Sequence, residues 1–386
     1  MGLIVDNINI SKKSSNEWIL ASPVSSIIVN DKLYDFFKLL QNSDSYGSAY
    51  KSFNEYYNST LTLNEFDNLI KKHFGGRGFL ANDDISKRKK SYLSLKIDLI
   101  SKDAGIVISK YLDFLFNEKI FPLLVCIAIL TIFTTIYAYH VYGDRYHLID
   151  LFYGFIVVNI SLFIHEFGHI TAYNYFIKKN NIIHHNTSGQ IGFGLYFIFP
   201  VYYSNITQVW SLDKKSRVII NFAGIYFQLL FSFILLIVGL FLQKFWLILP
   251  IYSIIIYSLF NLNPFIRNDG YWILSDLTNT HNLYEKSKLS LKKFIAKFKL
   301  SNINWQVFYS LGNYLLFIIL TTNLILKAKE DLLYFPINLF RSTYNAMTLD
   351  FINVRFEVAW IYYLAFYIII IKFILDLRLF VNKKTV

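Results

Sequence analysis

Residues 165–169 read His-Glu-Phe-Gly-His, and they lie inside a run of apolar residues long enough to cross a bilayer. On a helix, His165 and His169 are one turn apart on the same face, about 6 Å along the axis. Two imidazoles so placed can hold one Zn²⁺, and Glu166 between them can take a proton from a water that the metal acidifies. The flanks are Ile160-Ser161-Leu162-Phe163-Ile164 and Ile170-Thr171-Ala172-Tyr173. Ionisable side chains at membrane depth are costly, so a cluster of them there requires a functional reason.

A catalytic zinc takes three protein ligands and leaves a further position open. The third ligand must come from a segment that returns to the same depth. Asn263-Pro264-Phe265-Ile266-Arg267-Asn268-Asp269-Gly270 follows a later apolar run. Pro264 and Gly270 break regular helix there, and irregular backbone at membrane depth is tolerated where it lines a cavity. Asp269 is therefore the expected third ligand. Asp276, seven residues further on, is expected to cap a helix or face solvent. His184-His185 reads as solvated loop, and His140 and His147 as ordinary residues at the membrane boundary.

The elements that must position these groups are membrane helices. The chain has 386 residues, of which 54% are hydrophobic and 19% aromatic, and its mean hydropathy is +0.38. An integral membrane protein is the class this composition supports. The single cysteine, Cys126, excludes intrachain disulfides and Cys-rich metal sites. The net charge of +12 is attributed to basic cytoplasmic loops, so the bilayer and not nucleic acid is the expected partner. The first residues lack the basic-then-apolar order of a signal peptide.

Residues 1–110 contain no spanning segment and read as a small α+β domain with winged-helix proportions. Short strands are expected at Trp18-Ile19-Leu20 and Ile27-Ile28-Val29, then helices near 32–42, 46–58 and 62–73, with Ser45 and Thr62 as caps. From residue 118 onward the chain reads as a polytopic, mainly α membrane bundle. About six spans are expected, near 120–141, 148–177, 218–241, 245–262, 305–326 and 358–380, each close to the ~20 residues a bilayer requires.

Loop charge sets the orientation. Lys178, Lys179, Lys214, Lys215 and Arg217 lie between the second and third spans, and six lysines from Lys286 to Lys299 follow the fourth. The alternate loops are poorer in cations, and the loop after the fifth span mixes Lys327, Lys329 and Arg341 with Glu330, Asp331 and Asp350. The positive-inside rule then puts both termini in the cytoplasm and His-Glu-Phe-Gly-His in the cytoplasmic half of the second span. Between these elements, Gly189, Gly192 and Gly194 punctuate apolar residues ending at Pro200, the pattern of a membrane-dipping hairpin or loop. An exposed edge there could pair with an unwound peptide. Gly192, Gly194 and Phe197 are accordingly candidate substrate-binding residues.

The two motifs together resemble the site-2 protease class of intramembrane zinc metalloproteases. Leu262-Asn263-Pro264-Phe265-Ile266-Arg267-Asn268-Asp269-Gly270-Tyr271-Trp272-Ile273-Leu274-Ser275-Asp276 is similar to the second signature of a bacterial branch associated with ribosomally made, modified peptides, and residues 194–224 also look like that branch. The resemblance covers about 148–290. It implies His165, His169 and Asp269 as ligands of one zinc per chain, Glu166 as general base, and Asn263 as a residue that contacts substrate or shapes the site. Gly224 is followed by Ile225, where other branches often carry proline. The N-terminal domain more faintly resembles leader-peptide-binding domains of peptide-modifying systems.

The resemblance implies hydrolysis of a peptide bond in a small modified-peptide precursor at the cytoplasmic face of a bacterial membrane. A modifying enzyme or transporter would be a partner in the same pathway. A second reading is cleavage of a membrane-tethered regulator, although no PDZ or CBS module is recognisable. A third, from another class, is a non-enzymatic peptide exporter or immunity protein. The intact histidines, Glu166 and Asp269 argue against it.

Overall fold

The computed structural model describes residues 4–5, 8–14, 16–22, 25–81, 93–143, 147–180, 190–196, 199–206, 209–210, 212–297, 303–348 and part of 363–371. Its first elements are three antiparallel strands, β1 (Asn9–Ser14), β2 (Glu17–Ala21) and β3 (Ser26–Asn30), in the order β1-β2-β3. The strands expected around Trp18 and Ile28 are β2 and β3. The sequence reading has no counterpart of β1, because Asn-Ile-Ser-Lys-Lys-Ser carries too little apolar alternation to signal a strand. Three helices follow: α1 (Asp31–Gln41), α2 (Tyr46–Tyr56) and α3 (Leu63–Phe74). Ser45 and Thr62 are the caps expected of them, and the structure makes both reciprocal, Ser45 with Ser48 and Thr62 with Glu65. The apolar stripes of these helices close on β2 and β3 around Leu20, Phe36, Phe37, Phe66 and Phe74, all buried. Trp18 stacks on Tyr34 at 4.0 Å and donates its indole N–H to Asp31 at 2.8 Å, tying sheet to helix.

The next strand changes partners. β4 (Leu93–Ile100) falls in the stretch counted from sequence with the N-terminal domain, yet it pairs with β5 (Ile191–Tyr196). β5 pairs in turn with β6 (Phe199–Ser204), giving a second antiparallel sheet in the order β4-β5-β6. Helix α4 (Lys102–Leu112) leads from β4 toward the apolar helices.

The described chain is mainly helical, and three helices are long and apolar enough to cross a membrane: α5 (Ile120–Tyr142), α6 (Leu148–Lys179) and α7 (Lys214–Phe241). They match the first three expected spans. α7 starts earlier than expected because Asp213 caps it, accepting from the Lys215 amide at 3.1 Å and from the Ser216 hydroxyl. α7 is the central helix: it packs against α5, α6, and two short helices, α8 (Ile248–Asn261) and α9 (Asp269–Leu277).

The fourth expected span departs from expectation. α8 has 14 residues, about 21 Å of helix against a hydrocarbon core of ~30 Å. It ends at Asn261 because Pro264 disfavours helical backbone before it and lacks the N–H a helix would use. The chain turns there and restarts as α9 at Asp269.

Residues 282–386 form a separate unit. In it α10 (Leu283–Lys297) packs on α11 (Trp305–Met347), with Ser290 donating to Gln306 at 2.8 Å. The fifth expected span is only the first half of α11, which runs unbroken for 43 residues, through Pro336. The segment read as a charged loop is helical as far as Met347, since its Ala, Leu, Lys and Glu residues are good helix formers. The sixth expected span, 358–380, lies almost wholly outside the described residues.

Candidate metal centre

Both histidines of the sequence motif lie past the middle of α6, on the face turned toward α7, and both are buried. The two helices approach closely here. A side chain at Gly168 would run into the Ala223 carbonyl of α7. A Cβ at Gly224 would come within 2.7 Å of the ring atoms of both imidazoles. The glycines are thus what lets two rings fit between the helices.

Each ring is held by its Nδ1. His169 donates from Nδ1 to the carbonyl oxygen of Ile220 at 2.7 Å. His165 donates from Nδ1 to Oε1 of Gln228 at 3.0 Å. Gln228 is itself fully buried and receives a hydrogen bond from Ser258 of α8 at 3.1 Å. These acceptors can only accept, so Nδ1 of each ring carries a proton and Nε2 is the atom turned inward. The two Nε2 atoms face each other at 3.1 Å.

Asp269 completes the group. It is the first residue of α9, and the break between α8 and α9 brings it back to the depth of the histidines. Its Oδ2 lies 3.0 Å from His165 Nε2, and its Oδ1 lies 3.5 Å from His169 Nε2. His165, His169 and Asp269 form the one group of candidate metal ligands found among the described residues.

The chemistry of this donor set fits a divalent metal. Four ligands at ~2.0–2.1 Å around a tetrahedral zinc stand about 3.3 Å apart, close to the 3.0–3.5 Å observed. Oδ2 of Asp269 is buried without a hydrogen-bond donor, which is expensive for a carboxylate unless a cation meets it. A proton on one Nε2 would satisfy two of the three groups; a metal among them satisfies all three. Ring orientation by Gln228 and by the Ile220 carbonyl is the support that metal-ligating histidines ordinarily have.

A cleft of about 420 Å³ opens beside the triad. Glu166, His169 and Asp269 stand on one wall; Tyr202, Tyr203 and Ser204 of β6, followed by Asn205 and Ile206, form another, with Trp210 and Trp272 nearby. Successive residues from 202 to 206 line the cleft, so the strand presents its edge to it and not one pleated face.

Other residues singled out from sequence fall elsewhere. Gly192 and Gly194 sit in β5, the central strand, whose backbone is already shared with β4 and β6. That strand has no edge left to offer a peptide, and neither glycine lines the cleft. Gly192 instead lies under the ring of Tyr203, which any side chain at 192 would displace. Phe197 lies outside the described residues, as do His184 and His185. Asn263 accepts from the Phe265 amide at 3.0 Å and shapes the turn after α8; it is absent from the cleft wall. Asp276 neither caps α9 nor faces solvent. It is buried against Arg217, with Nε to Oδ1 at 2.6 Å, and accepts from Asn221 at 2.9 Å.

Sequence reasoning missed Gln228, Asn221, the Arg217–Asp276 pair and the purpose of Gly224. A signal existed: Arg217, Asn221, Gly224 and Gln228 are spaced four, three and four along an apolar helix, one stripe of non-apolar residues on a single face. No protein-family model, curated protein or solved structure matches the chain.

Proposed function

We propose that this chain is a membrane-embedded zinc metalloendopeptidase of the site-2 protease type, acting on a small ribosomally made peptide precursor at the cytoplasmic face of a bacterial membrane. The observation that carries the reading is the convergence of Asp269 on His165 and His169 from a helix break far along the chain, beside a cleft that Glu166 lines.

His165, His169 and Asp269 would hold the metal. When bound, zinc supplies Lewis acidity that polarises a peptide carbonyl and acidifies water. Glu166 takes a proton from the attacking water and returns it to the amide nitrogen that leaves. The Asp269 carboxylate offsets part of the metal charge. An extended peptide suits the cleft better than a helix does. β6 borders it, and the outer side of that strand has no partner strand among the described residues. A fourth strand laid there would expose its peptide bonds to Glu166, whereas a helix keeps them in its own hydrogen bonds. This moves the substrate track suggested by the sequence from the β5 glycines to the β6 edge.

The N-terminal α+β elements favour a peptide with a recognised leader over a membrane-tethered regulator. Loop charge supports a cytoplasmic placement of both termini. The test is metal content together with hydrolysis. Purified wild-type protein is expected to carry one zinc per chain and to generate new peptide termini, read by mass spectrometry, from a peptide library in detergent micelles. Asp269→Ala is expected to lose both. Full metal retention in that variant rules out Asp269 as ligand, and a metal-replete wild type that cleaves nothing favours the exporter or immunity reading.

A further inference from the structure

The carboxylate of Asp269 is one end of a helix only nine residues long, and what fixes that helix is a second polar cluster. Asp276 lies seven residues after Asp269, two helical turns away and on nearly the same face, about 10 Å along the axis. It is buried, as is Arg217. Arg217 donates from Nε to Asp276 Oδ1 at 2.6 Å, and Asn221 donates to Asp276 Oδ2 at 2.9 Å. Both carboxylate oxygens are therefore gripped from α7. Arg217 also donates from Nη1 to the Leu212 carbonyl at 2.9 Å and lies 5.6 Å from the Trp210 ring, which meets Trp272 of α9 at 6.2 Å. At its other end α9 is anchored by Asn268, whose amide donates to Asn261 at 3.1 Å.

Arg217 and Asn221 stand on the stripe of α7 that continues to Gly224 and Gln228, and Ile220 beside it supplies the carbonyl for His169. One helix face thus carries the support of all three candidate ligands. We infer that Arg217 and Asn221 are positioning residues for the metal centre: by holding Asp276 they set the rotation of α9 about its axis, and so bring the Asp269 carboxylate onto the two histidines. With Asp276 released, a helix this short can pivot, and a carboxylate displaced by 1 Å no longer completes a zinc site. The inference rests on reading the triad as a metal site, but not on proteolysis.

The experiment is Co²⁺ titration of the metal-stripped full-length protein, reading affinity and the visible ligand-field bands alongside the melting temperature. Arg217→Leu combined with Asp276→Leu replaces a buried ion pair by apolar volume, a change that folds well in other proteins. It is expected to weaken Co²⁺ binding by about 10-fold or more and to shift the bands while melting near the wild type. Asn221→Leu removes one grip, leaves the ion pair, and is expected to move affinity in the same direction. Ile251→Ala, in the α8 core, controls for general loosening and is expected to lower melting without shifting the bands. Affinity within twofold of wild type and unchanged bands in both the double variant and Asn221→Leu would overturn the inference. Failure of the wild type itself to bind Co²⁺ would instead overturn the metal reading.

Discussion

At the scale of single residues, the site is a contest between desolvation and compensation. Burying two imidazoles and a carboxylate costs several kcal/mol unless each polar atom finds a partner. Here Nδ1 of each ring is satisfied by protein, whereas the Nε2 atoms and Oδ2 of Asp269 are left to one another. Glu166 is only partly buried where it lines the cleft beside His169 and Asp269, within reach of water and substrate. Glu166→Gln is therefore expected to keep wild-type zinc content by elemental analysis and to lower turnover by ~10²–10⁴-fold, the usual worth of a general base; wild-type turnover in that variant removes Glu166 from the mechanism. Gly224→Ala adds one methyl group where two rings already press. Zinc affinity should fall by about 10-fold or more, because displaced rings lose ligand geometry, and unchanged affinity would show that the helices part freely.

At the scale of elements, regularity and interruption have separate tasks. α6 and α7 are long and unbroken, and they carry rings and ring supports at fixed heights. α8 is short because Pro264 stops it, and that interruption is what delivers Asp269. The β4-β5-β6 sheet has a comparable division: β5 is saturated on both sides, and β6 borders the cleft. The Tyr203 ring occupies the space a side chain at Gly192 would need and reaches Asp98 of β4 with its hydroxyl at 3.4 Å. Gly192→Val should push Tyr203 into the cleft, impairing cleavage of peptides by about 10-fold or more while leaving zinc content untouched, as expected when a substrate contact but no metal support is moved. Equal loss of zinc would mean that the sheet supports the metal centre and not the substrate.

At the scale of the whole molecule, the decisive quantity is which side of the membrane each segment occupies. Three consecutive helices, α5 to α7, are long and apolar enough to cross a membrane; if all three do, the N-terminal elements and the turn after α7 lie on opposite sides. The orientation proposed from loop charge would put Glu55 on α2 in the cytoplasm and Gln243 outside. In a Cys126→Ser background, Glu55→Cys should react with a membrane-impermeant thiol reagent only after the membrane is opened, and Gln243→Cys in intact cells. The reverse pattern would invert the orientation, and equal reactivity from one side would overturn the three-span arrangement.

Much of this was readable in the amino-acid order because it depends on local periodicity. His165 and His169 need only a helix to share a face, the caps at Ser45 and Thr62 act within four residues, and the first three spans announce themselves by apolar length. Asp269 was reachable too, since helix breakers after an apolar run are a local signal. The rest depends on contacts between segments far apart in the chain. That β4 leaves the N-terminal elements to pair with β5, that Asp276 turns inward to Arg217, and that Gln228 aims its oxygen at His165 are each decided by which backbone groups and charges meet across 59 to 103 positions. The sequence by itself determined that two histidines and a glutamate share a membrane helix. Only the tertiary structure decided what holds them, because a buried polar atom takes its partner from whatever packing brings within 3 Å, and local sequence carries no record of that neighbour.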